Sequence, residues 1–546
     1  MDELALVCEE VARSASRLRK IAALAAYFRK LNDDDLALAV QFLSGGPVAR
    51  ESPNHTLFAK EEKVKLSVGY SLLRESLQAA TGWDWETLRI CYSEVGDGAE
   101  TAGLLLRGIA AELPLSLADA DEIYQKLFRA RLTARKLEIL IDAQRRYRPL
   151  TIKYFLKVIT RGLRIGLQGK LVEEAVAAAC GVCHESVRDA ANRLGDLARV
   201  AVAARRGELA EIEARLFHPM EFMLAKPLER LEDITEPADW IIEDKYDGIR
   251  SQAHFEAGHV QIFSRGMEDV TAPFPELRDA LRGLEGNGLL DGEVLAWRDG
   301  RALNFNVLQQ RIARKRVRAT LMAEIPLVFM AYDILLRNDE LLLKKPFEER
   351  RSILSKTLNG QPLPILISPQ YAIETREDLD RLFGEARARG NEGLVLKRKG
   401  SLYEPGRRSG AWHKLKRPYA TLDVVITAAE QGNGRRATVF SDYTFAVRSE
   451  NGFVNVGKAY SGLTDEEIRE LTRLLRAAST DRFGRVMLVK PEIVLEVAFD
   501  GVQKSPRHKS GYALRFPRIV RWRKDKRPED SDDLTRVAAL YQATLN

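Results

Sequence analysis

Near His218-Pro219-Met220 the spacing of apolar residues changes, and this change constrains the fold more than any other feature of the chain. Ahead of it, apolar residues recur at intervals of three and four, as in Leu18, Ile21, Leu24, Phe28 and Leu31. The same spacing returns in Ile123, Leu127, Ala130, Ala134, Leu137 and Leu140. Such intervals put side chains on one face of a helix. Ala, Leu, Arg and Glu dominate, and all are good helix formers. Gly45-Gly46-Pro47, Ser52-Pro53-Asn54 and Arg148-Pro149 break the pattern, so residues 1–215 are expected to form an all-α domain. Beyond the change the apolar runs are short and β-rich: Trp240 to Ile242, Val260 to Phe263, Leu289 to Trp297, Leu327 to Leu335 and Leu394 to Leu396. With a few helices between them, they predict an α+β domain over 216–418 with largely antiparallel sheets.

A second change follows Pro418. Leu422 to Thr427, Thr438 to Phe440, Tyr443 to Val447, Phe453 to Val456 and Ile493 to Phe499 read as five strands, with Asn451-Gly452 a hairpin turn between two of them. Five short strands over 419–546 suit a small barrel of the oligonucleotide-binding (OB) type, and a last helix is expected over Asp532 to Ala543. The expected fold class is therefore multidomain α+β. A length of 546 residues, at about 150 per domain, leaves room for the three parts. With 45% apolar and 30% charged residues, each part can bury a core.

Several classes drop out. No run of about 18 apolar residues occurs, which excludes a helical membrane span. Met1-Asp2-Glu3-Leu4 lacks the layout of a secretion signal, so a cytoplasmic protein is expected, nucleoid-associated if the source is prokaryotic. Four cysteines (Cys8, Cys91, Cys180, Cys183) cannot build a disulfide scaffold or a tetracysteine zinc module, and they fit a reducing compartment. Cys180-Gly-Val-Cys183-His184 has haem-attachment spacing, but its flanks read as ordinary helix and a structural origin is preferred. The net charge of +7 is modest and matters where it clusters. Arg161, Arg164 and Lys170 around Gly162 and Gly166 form one basic group. Gln503 to Arg527 forms a denser one, with ten Lys or Arg against the single acid Asp525, interleaved with Phe516, Trp522 and two prolines. That density favours phosphate contact over a merely solvated face.

The chemistry concentrates in Glu243-Asp244-Lys245-Tyr246-Asp247-Gly248-Ile249-Arg250, where a lysine just past a strand precedes an Asp-Gly turn and an arginine. K-x-D-G-x-R arises by chance in about one chain of this length per hundred. Its companions follow in order: Ser264-Arg265-Gly266, Leu290-Asp291-Gly292-Glu293, Ala331-Tyr332-Asp333, Glu392-Gly393-Leu394-Val395-Leu396-Lys397, Trp412-His413-Lys414-Leu415-Lys416, then Arg515-Phe516-Pro517-Arg518 and Arg523-Lys524-Asp525-Lys526. The series resembles the covalent nucleotidyltransferase superfamily, and within it the ATP-dependent DNA ligases of the archaeal and eukaryotic replicative type. The resemblance covers nearly the whole chain and is most specific from Met223 to Arg527.

It implies a helical DNA-binding domain, an adenylation domain and an OB-fold that together encircle nicked duplex DNA, with ATP and Mg²⁺ (Mn²⁺ able to substitute) as cofactors. Lys245 would carry AMP through a phosphoramidate bond, and Glu243 would read the adenine amino group. Arg250 and Arg265 would contact the sugar-phosphate region, and Tyr332 would stack on the base. Arg408 and Lys414 would close the pocket, with Lys416 on the phosphate. Glu293 would bind ribose or metal, and Glu392 would hold the metal. Arg515, Arg518, Arg523, Asp525 and Lys526 would contact DNA or orient the leaving pyrophosphate, with a joint near Arg417-Pro418-Tyr419. A monomer is implied, with a sliding clamp or repair proteins as candidate partners in replication, repair or recombination. Relatives commonly carry an acidic residue just before Leu163-Arg164-Ile165-Gly166, where this chain has Arg161-Gly162.

Elementary chemistry agrees with this assignment. An amine attacks phosphorus only when deprotonated, and neighbouring cations lower the pKa of a lysine from its usual ~10.4. Lys397, Lys414, Lys416 and Arg265 would supply that field and neutralise the phosphates. No G-x-x-x-x-G-K-[ST] loop is present, and no tetracysteine zinc element like that of NAD-dependent bacterial ligases, so the nucleotide is expected to be ATP. A capping guanylyltransferase or RNA ligase would share Lys-x-Asp-Gly, but neither needs a helical domain of some 215 residues. A non-catalytic nick-binding protein would require a lost catalytic residue, and none is lost.

Overall fold

Short polar side chains start the helices. Ser16, Asn32 and Ser116 accept hydrogen bonds from backbone amides in the first turns of Arg17–Lys30, Asp33–Ser44 and Leu117–Arg129. The computed structural model describes all residues except 46–65, 67, 168, 214, 313, 315–316, 362, 433–435, 437 and 544–546. The breakers at Gly46-Pro47 and Ser52-Pro53-Asn54 lie outside the described residues. Helices follow one another as far as Leu197–Arg206, as expected for this part of the chain. Two details differ. Leu18 is 77% exposed; Leu24 and Phe28 are buried, and so is Lys20, whose Nζ donates to Ile165 O at 2.9 Å and Gly166 O at 3.2 Å. The apolar pattern from Ile123 to Leu140 spans two helices, Leu117–Arg129 and Thr133–Arg146, because Ala130 leaves helical conformation (φ −69°, ψ 109°). No glycine or proline marks that break. The Cys180–Cys183 pair joins two ordinary helices, Gly169–Cys180 and His184–Leu194, and all four cysteines are free.

The described chain forms two compact units, Met1–Ser76 with Leu106–Lys416, and Leu77–Leu105 with Arg417–Asn546. In the first, the segment beyond His218 builds two sheets. One runs Lys226–Pro227, Trp412–Leu415, Gly393–Arg398, Trp240–Lys245, Tyr371–Ala372. The other runs His259–Ser264, Ile249–Glu256, Asn287–Arg298, Leu327–Arg337, Glu340–Leu341. Pairing is antiparallel except for Lys226–Pro227 on Trp412–Leu415 and Ile365–Ile367 on Leu327–Arg337. The strand ending expected at Ile242 continues to Lys245, because Gly393 pairs with Lys245 across the ladder. Alternation then separates the two faces of this sheet. Trp240, Ile242, Leu394, Leu396 and Leu415 join Leu379, Leu382 and Phe383 of the helix Glu377–Ala388 in one core. Glu243, Lys245, Val395 and Lys397 lie on the opposite face. The second sheet has its own core around Phe255, Ile262, Leu290 and Phe329.

His254 ties the start of this region to the second sheet. Its buried ring accepts the Phe217 amide at Nδ1 (3.0 Å), and burial pushes its pKa down to about 3. An unfolded histidine titrates near 6.5, so between about 6.5 and 3 the unfolded chain takes up a proton that the folded chain refuses. The stability contributed by neutral His254 is present above pH ~6.5 and is lost as pH falls towards 3. Thermal unfolding of the wild type should therefore drop more steeply with acid than that of His254→Gln. Parallel slopes for the two proteins would contradict the assignment.

In the second unit, Ala420–Gln431 pairs with Phe440–Ser449, Val486–Val489 and Val494–Phe499, and the sheet wraps a core containing Val424, Phe445, Val456, Leu471 and Val497. Phe440–Ser449 and Gly452–Ala459 form the hairpin expected at Asn451-Gly452. The separate strand expected over Thr438 to Phe440 is absent: the Thr438 carbonyl accepts from Arg476 at 2.7 Å, and one strand begins at Phe440. Additional strands are Ser479–Phe483, Val486–Val489, Gly501–Lys504, Tyr512–Arg515 and Arg518–Trp522, so the part is richer in β structure than five strands. Thr464 and Glu467 close a capping box on the helix Asp465–Ala477. Arg485 donates to Gly96 O at 3.2 Å and Gln431 O at 2.9 Å, which ties the helices Trp85–Val95 and Gly98–Leu105 to this unit.

Candidate active site

Lys245 closes its strand, and its Nζ donates to a carboxylate oxygen of Glu392 from the segment that leads into Gly393–Arg398. The Glu392 amide also donates to Lys245 O at 2.7 Å, so the backbone holds the two residues side by side. The turn after Lys245 packs against Asn287–Arg298. A Cβ on Gly248 would lie 2.4 Å from Val294 O and 2.7 Å from Glu293 Cγ, so only glycine lets the turn approach. Glu293 sits on that neighbouring strand, opposite Arg250.

The expected residues divide by environment. Glu243 is 2% exposed, and its carboxylate accepts from Lys397 Nζ at 2.9 Å and Gln370 Nε2 at 3.0 Å, with Arg351 3.6 Å away. Lys397 is 1% exposed and lies 4.5 Å from the Trp412 ring centre, 4.6 Å from that of Tyr332 and 4.9 Å from that of Phe347. Burial drives its pKa down while Glu243 opposes the shift. Lys397 thus neutralises Glu243 rather than lending free charge to Lys245. Arg250 forms a two-pronged bond to Asp291 (3.2 and 2.8 Å) and donates to Met223 O at 2.6 Å, and its guanidinium lies 5.7 Å from the ring centres of both Tyr332 and Trp412. Burial opposes its charge, yet Asp291 holds its pKa well above the ordinary value.

Lys414 reports the local positive field. Burial lowers its pKa first, and Lys245, Lys416, Arg408 and Arg265 lower it further. Arg265, Arg408 and Lys416 are exposed, as phosphate-facing groups can be. The fold therefore gathers Arg265, Arg408, Lys414 and Lys416 around the Lys245 face, drawing them from three separate stretches of chain.

Opposing them are Glu293 and Glu392. Burial pushes the Glu293 carboxyl up to about 8, Lys245 and Arg250 pull it back, and Glu392 and Asp291 raise it again. Among the described residues no three His, Cys, Asp or Glu converge as a cage. Two carboxylates nevertheless fit Mg²⁺, which commonly takes one or two of them and completes its shell with water and phosphate oxygens. A buried carboxyl resisting ionisation is also a site where an added cation is favoured.

In the second unit, Arg523 bonds Asp423 (3.1 Å) and Asp525 (2.7 Å), and Lys526 bonds Asp423 (2.6 Å). Arg518 pairs with Asp500 at 2.9 Å, and Arg515 lies 5.5 Å from the Phe516 ring centre. Of this group, Arg523 and Lys526 share Asp423, whereas Arg518 pairs with Asp500. The sequence motifs contain Asp291 and Trp412 but assign them no role, and Gln370, Arg351, Phe347 and Asp423 lie outside the motifs. Their one sequence signal is local: Tyr371 falls in a short extended run that can pair with the Lys245 strand, which brings Gln370 beside Glu243.

Three family models match the chain: DNA ligase N terminus over residues 1–177, ATP dependent DNA ligase domain over 222–416, and ATP dependent DNA ligase C terminal region over 436–526. A "Probable DNA ligase" of Koribacter versatilis is 41% identical over 570 residues, covering 100% of this chain and 97% of its own length. A DNA ligase of Methanothrix thermoacetophila is 34% identical over 555 residues, covering 98% of this chain and 97% of its own. The fold is shared with the solved structure titled Pmar-Lig_PreS3 (TM-score 0.62, 15% identity, 95% of this chain and 99% of that one). With a helical N-terminal part, a nucleotidyltransferase part whose lysine and carboxylate stand in contact, and a β-rich C-terminal part, the chain belongs to the ATP-dependent DNA ligase family.

Proposed function

We propose that Lys245 is the adenylated nucleophile, and that the chain seals nicks in duplex DNA in three steps. The contact between Lys245 Nζ and Glu392, inside the cationic group of Lys414, Lys416, Arg408 and Arg265, carries this reading. In the first step Nζ loses a proton, with the Glu392 carboxylate the acceptor in reach. The amine then bonds to the α-phosphorus of ATP, the α–β phosphoanhydride P–O bond breaks, and pyrophosphate leaves. Lys414, Lys416, Arg265 and Arg408 balance the phosphate charge. In the second step a 5′-phosphate oxygen of the nick displaces Nζ from phosphorus. In the third the 3′-hydroxyl attacks that 5′-phosphate, and AMP departs. Glu293 and Glu392 would hold Mg²⁺, or Mn²⁺ in its place, and the bound ion would supply neutralising charge for the phosphates.

Tyr332, packed by Arg250 and Lys397, offers a π face to adenine. Arg250, fixed by Asp291, is a rigid donor for the sugar-phosphate region. Arg515, Arg518, Arg523, Asp525 and Lys526 serve DNA or the leaving pyrophosphate. The functional division is a DNA-binding domain over 1–215, an adenylation domain over 216–418 and an OB-fold over 419–546. The enzyme acts as a monomer on nicked DNA in the cytoplasm, and a sliding clamp or repair proteins are its candidate partners in replication, repair or recombination. Among the described residues no helix is long and apolar enough to cross a membrane.

The test is a singly nicked duplex offered with ATP, ADP, GTP or NAD, each with Mg²⁺ or Mn²⁺. Sealing with ATP and either metal is expected. A covalent adduct formed with GTP alone, or sealing confined to nicked RNA, would replace this reading with the capping or RNA-ligase alternative.

A further inference from the structure

We infer that Asp244 and Arg389 are positioning residues for adenylation, which from the helix side of the sheet fix the turn that brings Glu392 to Lys245. This rests on the reading of Lys245 as nucleophile and Glu392 as the acceptor of its proton. Asp244 and Lys245 are neighbours on one strand and so point to opposite faces of the sheet. Lys245 shares its face with Lys397. Asp244 follows Trp240 and Ile242 on the other face, where it is 5% exposed. Its carboxylate accepts from Arg389 Nε at 2.9 Å and Nη2 at 2.7 Å, and from Asn391 Nδ2 at 2.8 Å.

Arg389 and Asn391 lie in the turn between the helix Glu377–Ala388 and the strand Gly393–Arg398, and Glu392 is the last residue of that turn. Gly390 and Gly393, on either side of Asn391-Glu392, have no side chain with which to anchor it. Arg389 and Asn391 supply the anchor, and both reach the same carboxylate. A two-pronged guanidinium–carboxylate bond fixes orientation as well as distance. Glu385, 3.9 Å from the guanidinium, and the Tyr371 ring, 5.3 Å from it at its centre, place Arg389 further. Asn391 Oδ1 is buried with no hydrogen-bond partner among the described residues, so this amide is held by its donor side alone. Asp244 precedes Lys245 in the chain, Asn391 precedes Glu392, and the two preceding residues are bonded to each other. The reacting pair thus emerges on one face from residues clamped on the other.

The experiment follows single-turnover lysyl-AMP formation by the full chain at saturating Mg²⁺, with the ATP concentration varied. Asp244→Asn keeps the side-chain volume, and Arg389→Gln alters a half-buried residue, so the second tests the clamp with little disturbance of the core. Each should lower the maximal rate by about 10- to 10²-fold, the scale of a misplacement near 1 Å, with half-saturation for ATP unchanged. Arg389→Lys, which keeps the charge and a donor for Asp244, should recover part of that loss. In a Glu392→Gln background, Asp244→Asn should lower the rate no more than about twofold further, because the side chain it positions is already gone. Full multiplication of the two losses would overturn the inference and leave Asp244 a residue of the core only. An unchanged maximal rate in both single variants would overturn it too. Glu392→Gln as fast as the wild type would instead remove the role given to Glu392, and a wild type that forms no adduct would remove the lysyl-AMP reading.

Discussion

Lys245→Ala should form no covalent adenylate, with adduct formation reduced by the order of 10⁴-fold or more, the scale on which covalent enzymes lose activity without their nucleophile. No neighbour can substitute. Lys397 is buried against Glu243 and three aromatic rings, and Lys414 sits on the adjoining strand facing Val395. The variant should still close a nick that already carries AMP on its 5′-phosphate, because the last step uses the 3′-hydroxyl and no lysine amine. Mass spectrometry of protein incubated with ATP and Mg²⁺ checks the first half, and a gel assay on the pre-adenylated nick checks the second. Adenylate on the alanine variant would place the nucleophile elsewhere.

Asp333→Ala should be the most destabilising single change at the site's foundation, costing about 3–5 kcal/mol. Asp333 and Arg350 are both 0% exposed and form paired bonds of 2.9 Å each. Removing the carboxylate leaves a guanidinium in the core with the carbonyls of Lys345 (2.6 Å) and Ser401 (3.1 Å) as acceptors and no counter-charge bonded to it among the described residues. The double change Asp333→Leu with Arg350→Met removes both charges and should recover much of the loss, since an apolar pair carries no desolvation penalty. Calorimetric unfolding of the two variants beside the wild type decides the matter, and equal stability of the single and double variants would refute it. Asp333 follows Tyr332 on the strand Leu327–Arg337, so a displaced strand should also weaken ATP binding.

Alternation and helical spacing made the element types legible. The strand carrying Glu293 and the hairpin at Asn451-Gly452 appear where local pattern put them, and the strand starting at Trp240 appears as expected but runs on to Lys245. Local pattern failed where a distant group decided the outcome. Thr438 leaves the ladder because Arg476, 38 positions away, takes its carbonyl. Lys20 is buried among helices because carbonyls 145 and 146 positions away receive its ammonium. The site follows the same rule. The motifs name Glu243 and Lys397 but cannot show that they neutralise each other across 154 positions, nor that Gln370 joins them from 127 positions away.

The order and types of the reactive residues, and hence the class of chemistry, were determined by the sequence alone, because a lysine, its carboxylates and its cations can be recognised one by one. Which lysine is buried against a carboxylate and which carboxyl resists ionisation were decided only by the tertiary structure. Charge interactions and desolvation depend on distance and burial, and these are set when strands far apart in the chain come into register.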